Sequence, residues 1–403
     1  MISSVLFIIC VLILVLGIAV SDSLPAVFYV SNSKDLSFDS LLPITVETDK
    51  TASSVFENSK SGSRVANLKL FGSVPIKDVT LKTVDDMYVY VSGEPFGIKI
   101  FTDGVMIVGI TEVETTDGTK NPANESGLQK GDIILAINNS SVCSNSELSA
   151  FIRESNGNPL ELTVKRDSTS FTVKLTPAKS SIDGAYKAGI WVRDSSAGIG
   201  TMTFYNPNNK LYAGLGHAVC DVDTGDALPV LTGQIVSAEI SEIVKGKKGS
   251  AGELKGHFVE DKILGNLLMN NLCGVFGEYN CNPSGNEAIK VAMRQEVKTG
   301  DAKILTSASG EPKYYSCKIE KVNMKDNNSL QNLVVKVTDS ELIKLTGGIV
   351  QGMSGSPIIQ NGMLVGAVTH VFVNEPSMGY GIFAENMLSQ TNSLSDNLMK
   401  SAS

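Results

Sequence analysis

The run Gly347-Gly348-Ile349-Val350-Gln351-Gly352-Met353-Ser354-Gly355-Ser356-Pro357 sets a serine among glycines, just before the short apolar segment Ile358-Ile359. Glycine lets the backbone turn tightly, so the N–H groups of Ser354 and of Gly352, two residues earlier, can face one developing oxyanion. The chemistry that needs this is acyl transfer, with Ser354 as nucleophile. A serine hydroxyl attacks only when a neighbouring base takes its proton, and histidine suits that task near neutrality. His217 lies in Gly214-Leu215-Gly216-His217-Ala218-Val219-Cys220-Asp221, at the end of an aromatic and apolar strand region. It sits 137 residues before Ser354, beside glycines that leave its ring accessible. His257, in KGHFVEDK, reads as a polar loop residue. Asn361-Gly362 is a type I′ hairpin signal. Pairing Gln360 with Met363 places Thr369 opposite Ser354 and His370 opposite Met353 on the other face, so His370 reads as a structural strand histidine. Without His217, the serine loop reads equally well as an ordinary Gly/Ser turn.

Other chemistries are disfavoured by composition. The 403 residues carry a formal charge of −8 and a pI near 5.1. A nucleic-acid binder needs a basic face to release phosphate counterions, so that class is set aside. Three histidines, six cysteines without paired CxxC spacing, no HExxH and no GxxxxGK[ST] leave no metal or phosphate signature, and no cofactor is expected. Asp221-Val222-Asp223-Thr224-Gly225-Asp226 superficially resembles a calcium loop, but glycine stands at the fifth position and Thr232 at the twelfth, so it reads as a turn. The eight-residue separation of Cys273 and Cys281 permits a disulfide without requiring one. The α/β-hydrolase elbow G-x-S-x-G also fails, because Ser356 occupies its fifth position and no helix follows.

Positioning such a loop calls for strands. Thirty-seven glycines with 6% aromatics point to many tight turns in a mainly β protein. The first 21 residues contain VLFIICVLILVLGIAV, an uncharged run that reads as a transmembrane anchor or uncleaved signal; twenty helical residues span about 30 Å. Residues 22–60 are Ser/Asp/Lys-rich and read as a linker, and 61–92 alternate as two or three strands of a small β unit. Residues 389–403 read as a polar tail with no apolar face.

Between them, residues 93–178 carry Pro95-Phe96-Gly97-Ile98 before a strand, then Ala123-Asn124-Glu125-Ser126-Gly127-Leu128-Gln129-Lys130-Gly131-Asp132-Ile133-Ile134, a helix from Ser146 and two strands. This order resembles a PDZ domain of the bacterial protease-associated type. The resemblance implies a peptide-binding loop and strand at Phe96, Gly97, Ile98 and Ile100, with an extended ligand added beside Ile98–Thr102.

The serine loop and the order His217 before Ser354 are similar to the chymotrypsin plan. The apolar N-terminus, the PDZ pattern, GLGHAVCDVDTG and GIVQGMSGSPIIQNGMLVGAVTHVFVNEPSMGYGI together resemble the stage IV sporulation protein B signalling peptidase family of endospore-forming bacteria. That resemblance implies a chymotrypsin-like β-barrel serine peptidase domain over 181–388, with His217 as general base, Ser354 as nucleophile and Asp339 as the acid. Met353 departs from the chymotrypsin pattern, where an acid buries a new N-terminus. It further implies self-processing and cleavage of a membrane-bound regulator of an intramembrane protease. The location implied is the forespore membrane, facing the intermembrane space. The PDZ ligand could include this chain's own linker. Two alternatives stay open: a non-catalytic PDZ scaffold at the membrane, and Asp339 as the N-cap of SELIKL, since Thr338-Asp339-Ser340 is a good cap sequence. Asp221, four residues from His217 and roughly 13 Å away on an extended strand, reaches the ring only if the chain reverses at once.

Overall fold

Short alternating segments pair into an N-terminal sheet, a PDZ-like module and two closed barrels. The computed structural model describes residues 2–31, 36–38, 43–48, 63–280, 287–325 and 330–401, leaving aside the side chains of 2–4, 6, 9, 10, 260 and 261. Helix α1 (Ile2–Ser23) is apolar along nearly its whole length, with Phe7 and Leu12 largely exposed. Lys77 Nζ donates to the carbonyls of Leu24 (2.7 Å) and Ser21 (3.3 Å), satisfying acceptors that the helix end leaves open. Among the described residues no helix is long and apolar enough to cross a membrane; the unbroken run of described α1 side chains starts at Val11.

The next four strands are β1 (Val27–Ser31), β2 (Ile44–Thr48), β3 (Ser63–Leu70) and β4 (Val74–Val84). They form one sheet in the order β1-β4-β3-β2, with β1 parallel to β4. Phe28, Leu68, Leu81 and Val79 are its core. The linker expected over 22–60 therefore contains two strands, because Phe28 and Val30 alternate with half-buried residues and lie in that core. Residues 32–35, 39–42 and 49–60 of that stretch, like Cys281, lie outside the described residues.

Strand β5 (Pro95–Ile110) serves two bodies. Its C-terminal half joins β6 (Ile133–Ile137), β7 (Leu160–Arg166) and β8 (Thr169–Leu175), with helices α2 (Pro122–Glu125) and α3 (Asn145–Glu154), around Val105, Leu128, Ile134, Leu148 and Leu162. The Gly131-Asp132 turn has a physical role here. Asp132 is fully buried and takes a two-pronged ion pair from Arg166 (2.6 and 2.8 Å) plus the Gln129 amide, so a buried charge is fully compensated.

The N-terminal half of β5 is a stave of the first barrel. Strands β9 (Ile190–Asn206), β10 (Leu211–Gly214), β11 (Val230–Val244), β12 (Glu253–Asn271) and β13 (Gly274–Tyr279) complete it. The cycle runs β5-β11-β12-β13-β10-β9 and closes by β9–β5 pairing. Phe96, Ile98, Ile100, Tyr212, Ile235 and Val275 fill it. This corrects two expectations. The strand at Ile98–Thr102 is no open edge, since β9 pairs with one side (Ile98↔Gly198) and β11 with the other (Ile98↔Ile235). Phe96, Ile98 and Ile100 are buried core, and Gly97 is packed on Phe258. The PDZ-like module is thus inserted into the barrel domain, whose first stave precedes residue 181. The sequence shows the alternation of β5 but not which strands flank it.

The second barrel comprises β14 (Gly300–Thr306), β15 (Lys313–Val322), β16 (Leu333–Val337), β17 (Pro357–Gln360), β18 (Met363–Val371) and β19 (Met378–Phe383). It closes in the order β14-β15-β16-β19-β18-β17 around Ile304, Tyr315, Val335, Ile358 and Phe383. Helix α4 (Ser340–Thr346) lies between β16 and the serine loop. Helix α5 (Ala384–Ser401) follows β19 and buries Met387, Leu388, Thr391 and Leu394. Helical spacing places these on one face, and within the tail expected over 389–403 that face continues with Thr391 and the buried apolar Leu394.

Gly97→Trp tests the barrel assignment. A Cβ at Gly97 would lie 2.5 Å from the Phe258 ring. Overpacking at such a site costs about 1–3 kcal/mol or more. The variant should therefore melt several degrees lower; a variant that melts like the parent contradicts this packing.

Candidate active site

The serine loop is held by the opposite barrel. Thr201 and Thr203, both buried on β9, reach across to it. Thr201 N–H donates to the Ser354 carbonyl (3.0 Å), Thr201 Oγ1 to the Gly352 carbonyl (2.8 Å) and Thr203 Oγ1 to the Gly355 carbonyl (2.7 Å). The approach is so close that a Cβ on Gly355, which also has φ +94°, would collide with the Thr201 carbonyl. The loop's own amides at Gln351, Met353, Gly355 and Ser356 donate to Gly252, Val350, Val368 and Met353 carbonyls. Among the described residues, the amides of Gly352 and Ser354 have no such acceptor, as an oxyanion pair requires.

Ser354 is half-buried and reachable, whereas Ser356 is fully buried. The Ser354 hydroxyl donates to the Thr369 carbonyl at 2.6 Å. The hairpin register expected from Gln360↔Met363 holds to Ile359↔Leu364, then slips by one at a bulge, giving Ile358↔Gly366 and Pro357↔Ala367. A one-residue slip exchanges the two faces of a strand. His370 is consequently no remote strand residue: its ring lies 4.8 Å from that of His217, centroid to centroid, tilted by 37°.

His217 is presented by a turn after β10, where Leu215 (φ 65°) and Gly216 (φ 71°) are both left-handed. The strain at Leu215 is offset by an amide bond to the Thr201 carbonyl (3.2 Å) and a buried side chain. A Cβ on Gly216 would lie 3.1 Å from Thr369 Cγ2, which shows how closely the turn meets the second barrel. His217 Nδ1 lies 2.8 Å from the Ala218 carbonyl. A carbonyl only accepts, so in the neutral ring Nδ1 carries the proton and Nε2 is the basic nitrogen. Burial is the main cause that pushes the His217 pKa down to about 4, aided by His370 and opposed by the Ala218 carbonyl.

Of the expected site residues, the structure brings His217, Ser354 and the Gly352 amide to the junction of the barrels, with Thr369–His370 touching both side chains. Asp339 is elsewhere engaged. It is the N-cap of α4: Oδ1 accepts from Glu341 N (3.0 Å) and Leu342 N (3.2 Å), and Oδ2 from Ser316 N (3.2 Å). Burial pushes this carboxyl up, but those amides outweigh it and hold its pKa below the ordinary value. Asp221 and Asp223 both pair with Arg193, and Asp221 also accepts the amides of Asp223 and Thr224, which makes the expected turn. His217 thus takes a backbone carbonyl where the resemblance implies an acid. His257 is exposed, 4.0 Å from Glu239. Thr201, Thr203 and His370 are not marked as site residues by the sequence; the alternation of TMTFYN carries the threonines, but nothing local says what they face.

The model of the SpoIVB peptidase S55 family matches residues 184–388, just over half of the chain. The chain belongs to that family. It is a serine peptidase. A PDZ domain model matches residues 102–176 of this S55 peptidase, beginning inside β5 and leaving its barrel half outside. The PDZ domain of the SdrC-like protein of Listeria monocytogenes is 22% identical over 23% of this chain and 90% of that one, with a TM-score of 0.20. The Rv3671c protease is 14% identical over 48% of this chain in both forms. Its inactive form is covered to 83% with a TM-score of 0.28, and its active form, from M. tuberculosis, to 73% with 0.26. No curated protein matches the S55 peptidase chain.

This geometry sets the outcome of two measurements. Asp339→Asn keeps the capping oxygen but sets an amide NH2 against the Ser316 N–H, so it should lower stability by about 1 kcal/mol with turnover per folded molecule near the parent's. Asp339→Ala should likewise cost about 1 kcal/mol with that turnover unchanged. Loss of a triad acid would instead remove roughly 10⁴ in turnover. The second measurement concerns pH. With His217 neutral down to about 4, the acid limb of kcat/KM should bend well below pH 6.5. The unfolded chain takes up this proton first, so the stability that neutral His217 contributes is present above pH 6.5 and lost as pH falls through about 4. A pH profile, and melting curves of parent against His217→Gln, measure both.

Proposed function

We propose that this S55 peptidase is a self-processing endopeptidase of sporulation. It cleaves a membrane-bound regulator of an intramembrane protease, in the space between two membranes, and so triggers activation of the late mother-cell sigma factor. The observation that carries the catalytic part is the meeting of His217 from the first barrel and Ser354 from the second at Thr369–His370. In this reading His217 Nε2 takes the Ser354 proton as Oγ attacks the scissile carbonyl. The Gly352 and Ser354 amides receive the oxyanion, and the imidazolium returns the proton to the leaving amine. Water then repeats the sequence on the acyl-enzyme. The Ala218 carbonyl holds the ring tautomer, the role a carboxylate plays in other triads.

The uncharged run at Val5–Val20 supports a membrane anchor, with the barrels outside the cytoplasm. The PDZ module supports a peptide or protein ligand, engaged at a surface other than the strand Ile98–Thr102, whose two edges are already paired.

The test is direct. Full-length protein carrying Ser354→Ala should accumulate uncut and fail to react with a fluorophosphonate, while Ser356→Ala, removing a buried hydroxyl that makes no hydrogen bond, should leave both processing and stability near the parent's. Mass spectrometry of both reads out the cut. Normal processing of the Ser354→Ala chain removes the assignment.

A further inference from the structure

An open cleft of about 620 Å³ lies where the serine loop meets strands β9 and β12 of the first barrel, and His217 is not among its lining residues. Gly352 and Gln351 form one end, Gly198 and Ile199 of β9 one wall, and Glu253–Phe258 of β12 the other. On the β12 wall, Leu254 is buried and Gly256 and Phe258 half-buried, whereas Glu253, Lys255 and His257 are exposed. The cleft thus has an apolar floor and a charged rim. Lys255 lies 3.5 Å from Glu242 and His257 4.0 Å from Glu239, and with Glu253 beside them the rim is mixed in charge and acidic on balance.

The β9 wall presents unsatisfied backbone. From Ser195 to Thr201 the strand pairs with β5 in unbroken register. Thr201 turns its N–H and C=O away from β5, to the Ser354 carbonyl and the Leu215 amide. Backbone groups alternate along a strand, so Ile199, two residues and about 6.6 Å further on, turns its own pair the same way. No partner is found there among the described residues. Its side chain reaches toward Gly256, where a Cβ would lie 3.0 Å from Ile199 Cδ1.

We propose, resting on the serine-peptidase reading above, that this cleft is the subsite for the leaving-group side of the substrate. The occupant is an extended peptide that continues past the scissile bond. It adds as a strand to Ile199 and places an apolar side chain, within its first three residues after the cut, over Ile199, Leu254 and Phe258. Three observations carry this. Gly352 belongs to both the cleft and the oxyanion pair; the free edge at Ile199 continues the edge that holds Ser354; and the floor is apolar beneath a charged rim. The subsite makes the enzyme selective for the residues on the C-terminal side of the cut.

Gly198→Val is the probe, because Gly198 lines the cleft next to Ile199 and a Cβ there meets nothing within 4 Å, so a branched side chain is added without a clash beside the strand edge that the peptide would use. Cleavage of a positional-scanning peptide mixture first gives the preferred sequence on each side of the cut. Two substrates are then compared: the preferred N-terminal side ending in a nitroanilide, and the same peptide extended by four residues. Gly198→Val should lower the ratio of kcat/KM, extended over nitroanilide, at least tenfold, and the parent mixture should show an apolar preference after the cut. An unchanged ratio, or a parent mixture selective only before the cut, overturns the proposal. If Gly198→Val depresses both substrates equally, Gly198→Ala repeats the ratio, and equal effects again overturn it. A parent that cuts no peptide removes the peptidase mechanism as well as the subsite, an outcome distinct from the others.

Discussion

The arrangement depends on three hydrogen bonds from Thr201 and Thr203 to the carbonyls of Gly352, Ser354 and Gly355. A loop with glycines at 347, 348, 352 and 355 has little intrinsic shape, since glycine loses more backbone freedom on ordering than any other residue. Something outside the loop must choose its conformation. Each neutral hydrogen bond contributes about 1 kcal/mol net, but removing one partner leaves a buried polar group that costs about 1–3 kcal/mol. The geometry of Ser354 is therefore set by the strand of a different barrel, and the two barrels must close before the candidate site exists.

The same strand links the site to the inserted module. β9 pairs with β5 on both sides of the module's insertion, from Thr201↔Pro95 near the serine loop to Ile190↔Ile110 within the PDZ-like sheet. The module is thus an outgrowth of two long barrel staves, with no linker between. That continuity explains why the expected peptide-binding strand is occupied: its edges close the barrel.

Much of the site is legible in the residues alone. Residue type and spacing mark Ser354, His217 and the glycine loop, and a motif marks the Gly131-Asp132 turn. The expectations that fail concern the neighbours of a strand. Alternation says which residues of β5 are buried, but no residue in 95–102 reports that β9 and β11 flank it. The slip between Ile358 and Ile359 has no local mark, and it decides whether His370 faces the site. Asp339 illustrates a competition. Capping needs only the next three residues, whereas pairing with His217 needs the second barrel to bring it across, and the local partners hold it. The tail differs from expectation only in Thr391 and Leu394, which continue the buried face of Met387 and Leu388 past residue 388 and, set among serines and asparagines, align with it only at helical spacing.

The position of the Ser354 proton is the informative detail. The Ser354 hydroxyl donates to the Thr369 carbonyl, and under the proposed mechanism that bond is given up before Oγ passes its proton to His217. Such a bond is worth about 1 kcal/mol, a weak restraint on the hydroxyl. The Gly352 and Ser354 amides act in the same direction. Without an acceptor among the described residues, they gain two contacts when a carbonyl enters, and these strengthen as the oxyanion forms. Burial keeps His217 neutral above about pH 4, so under the proposed mechanism the ring is in the protonation state a general base needs. What remains is for an entering peptide carbonyl to engage the Gly352 and Ser354 amides while the Ser354 hydroxyl leaves the Thr369 carbonyl.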